Sequence, residues 1–106
     1  MKNLICVFFV FFLCSTNAQD LTLMHINAKW NQPNNFDLKG IQNCKVRYAL
    51  LEDQVPSLKA QIKSVPIIIL LDKNGKPRGQ WVANLSFKIT ATKEEIQDRV
   101  NIIAKE

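Results

Sequence analysis

The run Val65-Pro66-Ile67-Ile68-Ile69-Leu70-Leu71-Asp72-Lys73-Asn74-Gly75-Lys76 carries more structural information than any other part of this chain. Five apolar residues in succession, opening with three isoleucines, leave no polar face. A run this short and this β-branched suits a central strand covered on both sides. Asp72 to Lys76 closes it, and the Asn74-Gly75 pair supplies the positive φ angles of a tight hairpin turn. The chain is therefore expected to return as a second strand, placed at Gln80 to Lys88.

Upstream, Leu21 to Ile26 is a short apolar run suited to a buried strand that ends near Asn27. Ala28 to Asn35 is rich in Asn, Gln and Pro, and Asn34-Asn35 can cap a short helix through Phe36, Asp37, Leu38 and Lys39 that Gly40 stops. Lys45 to Leu51 reads as a second strand. Val55 to Ile62 follows as a helix with Pro56 in its first turn. Downstream, Thr92-Lys93-Glu94-Glu95 is a capping box, and Ile96, Val100 and Ile103 make an apolar stripe for a final amphipathic helix. The expected order is βαβαββα, an α/β domain with a central mixed sheet flanked by helices and no internal repeat.

That order, with Asn27-Ala28-Lys29-Trp30-Asn31-Gln32-Pro33-Asn34 and Ser64-Val65-Pro66, resembles the thioredoxin family. The family pattern is a strand ending in a tryptophan, then two cysteines flanking two residues at the start of a helix, often with proline before the second cysteine. Trp30 and Pro33 match it, whereas Asn31 and Asn34 stand at both cysteine positions. The family also places a cis-proline before its central hairpin, and Pro66 occupies that place; the reading from the residues alone is a strand-initiating trans proline. The resemblance covers the chain from the active-site strand onward, without the extra N-terminal strand and helix of full-length thioredoxins.

Dithiol chemistry needs a thiolate of lowered pKa and a second thiol to resolve the mixed disulfide. Asparagine provides neither, although its carbonyl can cap helix amides, so Asn31 and Asn34 are expected to keep the loop shaped while removing redox function. His25, five residues before Trp30, stands where the family commonly has a buried acid serving the dithiol. Taken by itself it reads as a hydrogen-bonded core histidine.

The N-terminus carries Lys2 and then the nearly unbroken apolar run Leu4 to Leu13, with small residues up to Ala18. That pattern is a signal peptide over 1–18, cleaved after Ala18, followed by one domain over 19–106. A lipoprotein needs a small residue before the modified cysteine, and Cys14 follows Leu13; an uncleaved anchor is the rival reading. The expectation is an exported protein, periplasmic or secreted, with no stable membrane span after cleavage. The net charge of +5 is scattered over the chain and falls by one when Lys2 leaves, which argues against nucleic acid as a partner.

Cys6 and Cys14 lie in the leader, so Cys44 is the domain's single thiol. It is either a buried core residue or an exposed thiol able to pair with another molecule. One histidine and three glycines leave no metal cluster, phosphate loop or Ser-His-Asp constellation, so no metal and no cofactor is expected. Asn84-Leu85-Ser86 matches a glycosylation acceptor, but it falls inside the expected return strand and is set aside. Trp81, in the same strand, reads as structural.

The resemblance implies a groove beside Trp30, Asn31, Gln32, Pro33, Asn34, Val65 and Pro66, where the backbone of Val65 would pair with an extended peptide. Trp30 serves either as a ligand anchor there or as a cover on the core. The expected function is a peptide- or protein-binding, chaperone-like module whose partner is another exported protein. The alternative is a single-thiol disulfide exchange enzyme using Cys44. A third reading uses an exposed sheet edge as the interaction surface.

Overall fold

A computed structural model describes residues 20–106; the leader expected over 1–18 lies outside the described residues. Strands β1 (Thr22–Asn27), β2 (Lys45–Leu50), β3 (Ile67–Leu71) and β4 (Pro77–Val82) form one mixed sheet in the order β2-β1-β3-β4. β1 runs parallel to β2 and antiparallel to β3, and β3 and β4 are antiparallel. Helices α1 (Pro56–Gln61) and α2 (Lys93–Ala104) follow β2 and β4. Among the described residues no helix is long and apolar enough to cross a membrane.

The strand pattern explains where the core sits. Leu23 pairs with Leu70 and His25 with Ile68, so these side chains share one sheet face. Against it α2 sets Ile96, Val100 and Ile103, all buried, in one cluster with Leu21, Leu23, Leu38, Ile68 and Leu70. The capping box starts α2 as the sequence requires: Thr92 Oγ1 accepts from the Glu95 amide at 3.1 Å, and Glu95 Oε1 accepts from the Thr92 amide at 2.8 Å. Ile69 and Leu71 are only half-buried, so the central strand is fully covered on the α2 face alone, not on both.

Three local expectations are corrected. No helix forms over Phe36–Lys39; the first helical element is a 3-10 segment, Lys29–Asn34, and the chain beyond it is irregular. The reason is non-local. His25 Nε2 accepts the Phe36 amide at 3.0 Å and the Tyr48 hydroxyl accepts the Leu38 amide at 3.0 Å, so side chains of the sheet pin this segment in an irregular path. Leu38 then packs into the core, and the same segment is tied to α2 by Gln97, whose side chain bonds both backbone groups of Gln42.

The hairpin is the second case. Only Gly75 is left-handed, at φ 77°, and the Gly75 and Asp72 amides bond Asp72 O and Lys76 O, so a longer turn with a bulge replaces the two-residue one. The third is β4, which spans Pro77–Val82 and not Gln80 to Lys88. Val82 already faces Ile67, the first residue of β3; after Ala83 donates to Pro66 O the strand has no partner left. Asn84-Leu85-Ser86 therefore lies in a turn and not inside a strand.

Candidate functional site

The site is built where β1 ends. Asn27 is buried at the last position of the strand, and the 3-10 segment that follows closes on itself through Asn31 N to Ala28 O and Asn35 N to Gln32 O, both 3.0 Å. Pro33 sits inside that segment, where short helical turns tolerate a missing N–H. Glu52, just past β2, receives the Lys29 amide on both carboxylate oxygens at 3.1 and 3.2 Å, and so holds the segment's start.

Asn31 turns inward and is 3% exposed. Its Nδ2 donates to Asn27 Oδ1 at 3.0 Å and lies 3.3 Å from Val65 O and 3.4 Å from Phe87 O; its Oδ1 accepts from Asn34 Nδ2 at 2.7 Å. Asn27 Nδ2 in turn donates to Asn31 O and to Asn35 Oδ1. Four carboxamides thus interlock beneath the loop. Neither Asn31 nor Asn34 caps a helix amide, as the sequence led one to expect; they bond each other and their neighbours, because a side chain this deep must find partners for every polar atom.

Val65 and Pro66, expected to line a groove, are both buried. The Val65–Pro66 peptide bond is cis, Val65 is 6% exposed, and Pro66 is fully buried. Asn31 Nδ2 reaches Val65 O and Phe87 O together, so the Asn84–Lys88 turn is tied to the motif loop. Asn84 builds this turn: its Oδ1 accepts from the Ser86 and Lys88 amides, and its backbone carbonyl from Phe87 N. Phe87 adopts a left-handed φ of 61°, costly for a large side chain.

Of the seven residues named from sequence, then, Val65, Pro66 and Asn31 form the buried floor, while Trp30, Gln32 and Pro33 are exposed and Asn34 is intermediate. Trp30 is 63% exposed, which makes it no cover on the core, and the Phe87 ring meets it edge-on with centroids 5.0 Å apart. Leu85, at the tip of the same turn, is 99% exposed. Nothing in the sequence singles out Phe87 or Leu85. They lie in a stretch that reads as strand, and no local pattern marks an aromatic residue that folds back over a loop 56 positions away. Trp81 packs against the core cluster.

Cys44 is half-buried against that cluster, and burial pushes its thiol up to about 11. It precedes β2, which runs parallel to β1, so it lies at the end of the sheet opposite the motif loop. Among the described residues no group of three or more His, Cys, Asp or Glu side chains could hold a metal ion.

No family model and no curated protein sequence matches the chain. Solved structures do. A mutant thioredoxin from Halobacterium salinarum superposes with a TM-score of 0.59 at 14% identity, covering 83% of this chain and 78% of that one. A yeast mitochondrial 1-Cys peroxiredoxin, solved for its thiol-resolving mechanism via glutathione/thioredoxin systems, gives 0.51 at 14% identity over 79% of each chain. This is the thioredoxin fold. The motif loop of this thioredoxin-like chain carries Asn31 and Asn34, and the turn after its last strand meets that loop through Phe87.

Proposed function

We propose that this chain is an exported thioredoxin-like binding domain that takes an extended apolar segment of another exported protein and performs no dithiol exchange. The interlocked carboxamides carry this reading. Asparagine has no ionisable nucleophile at neutral pH, and the side chains at both positions that would bear thiols are tied up in internal hydrogen bonds. At the same end of the molecule Trp30 and Phe87 present aromatic surface to solvent, with Leu85 beside them on the turn, the kind of rigid aromatic anchor that dominates binding energy. The contact surface of this reading is accordingly Trp30, Phe87 and Leu85 with Gln32 and Pro33, and not the backbone of Val65.

Single-thiol exchange by Cys44 is the competing reading. A thiol that stays protonated to about 11, at the far end of the sheet, is a poor nucleophile at neutral pH. The test is insulin disulfide reduction by the purified protein, by its Cys44→Ser variant, and by the Asn31→Cys, Asn34→Cys double variant. The expected result is an inactive parent and a double variant that gains activity. Parent activity that disappears with Cys44→Ser would overturn the proposal. Binding is then measured with extended apolar peptides, which Trp30→Ala is expected to weaken about tenfold or more, a loss usual for a buried aromatic anchor.

A further inference from the structure

β1 and β2 run parallel, and beyond their carboxyl ends the structure opens into a crevice of ≈ 420 Å³. Open α/β sheets hold ligands outside the carboxyl ends of their strands, and this volume falls within the range of about 300–1,000 Å³ typical of small-molecule sites. Gln32 and Asn35 from the motif loop form one wall, and Asp53 and Gln54 from the connection after β2 form the other. Tyr48 and His25 line it from the sheet. Neither Trp30 nor Phe87 nor Leu85 does, so the crevice is distinct from those apolar side chains and shares only Gln32 with the contact surface described above.

Its chemistry is selective. No lysine or arginine lines it, which leaves an anion without a counter-charge, and Asp53 is its single carboxylate. His25 is neutral there, since its Nε2 accepts the Phe36 amide. The Asn35 oxygen accepts from Asn27 Nδ2 at 2.7 Å, which leaves its NH₂ group for a ligand; Gln54 Nε2 donates to Leu50 O at 2.9 Å, which leaves its oxygen. Gln32 makes no side-chain hydrogen bond among the described residues and keeps both groups. The Tyr48 ring leans on His25, centroids 4.8 Å apart, and is half exposed. Free donors, free acceptors and one carboxylate surround an aromatic ring: a matching ligand carries no negative charge, bears adjacent hydroxyl groups and has an apolar C–H face.

We propose that this crevice binds a neutral saccharide of one or two pyranose rings, with hydroxyls on Gln32, Asn35, Asp53 and Gln54 and a ring face against Tyr48. The experiment is a ¹⁵N NMR titration of the purified protein with maltose, cellobiose and N,N′-diacetylchitobiose, with glucuronic acid as the charged comparison. Saturable shifts of the Gln32, Asn35 and Gln54 side-chain amides with at least one neutral disaccharide are expected, and at least tenfold weaker binding of glucuronic acid. Gln32→Ala and Asp53→Asn, neither of which removes a side-chain hydrogen bond among the described residues, are each expected to weaken binding about tenfold, the equivalent of one good hydrogen bond, at unchanged thermal stability. Trp30→Ala is expected to leave it unchanged, which keeps this test apart from the peptide-binding one. The proposal is overturned if none of the three disaccharides gives saturable shifts, if the shifts fall outside the crevice, if glucuronic acid binds as tightly, or if both crevice variants bind like the parent.

Discussion

His25 shows how one side chain sets a pH dependence. Burial holds its imidazole below the ordinary value near 6.5, because protonation would charge a desolvated ring and displace the Phe36 amide from Nε2. The folded state thus binds the proton less readily than the unfolded one, so stability is full above about 6.5 and falls as the pH drops below it. Urea unfolding at a series of pH values is expected to show this loss, and His25→Gln to flatten it. Cys44 acts at the other end of the scale: raised to about 11 from 9.0, it contributes stability below 9 that is lost as the pH climbs toward 11, and it should react with a thiol reagent at neutral pH only after unfolding. Asn31→Ala is expected to cost about 2 kcal/mol in chemical denaturation, by stranding the Asn34 amide and carbonyls at Val65 and Phe87. The identity of Asn31 is legible as a departure from a dithiol pattern. Its inward turn is not, since its partners Val65 and Phe87 lie 34 and 56 residues away.

At the scale of elements, legibility follows how local each cause is. α2 begins at its capping box and buries the three residues of its stripe, because cap and periodicity are written within one segment. Thr92→Ala should therefore cost about 1 kcal/mol, seen as a fall of about 4–8 °C in Tm. β3 matches the sequence to the residue, with bounds set by Pro66 before it and the turn after it. The segment after the motif loop reads as helix because its cap signals are genuine, but His25 and Tyr48 override them from the neighbouring strands. Gly75→Val is expected to destabilise the β3–β4 hairpin by about 1–2 kcal/mol, as φ 77° is unfavourable for a branched side chain; denaturant midpoints check this.

For the whole molecule the fold class is legible and the surface of the site is not. The mixed sheet and its helices emerge from hydrophobic periodicity, whereas the meeting of the Asn84–Lys88 turn with the motif loop depends on how separately folded pieces come together. With the sheet fully covered on one face only, the domain leans on α2. Ile96→Ala, at about 2–5 kcal/mol, removes a large share of a small domain's total and should leave a substantial unfolded fraction by circular dichroism at 37 °C. The strand order has one more consequence. β2 stands at the rim of the sheet, with β1 as its one neighbour, and bears Lys45 and Arg47 exposed on a common face. If two copies joined rim to rim about a two-fold axis, these cations would meet their own kind, so the charge that decorates the strand also opposes pairing along this rim. Lys45→Thr with Arg47→Val would lift that repulsion, and light scattering of the warmed double variant is expected to rise where the parent stays clear.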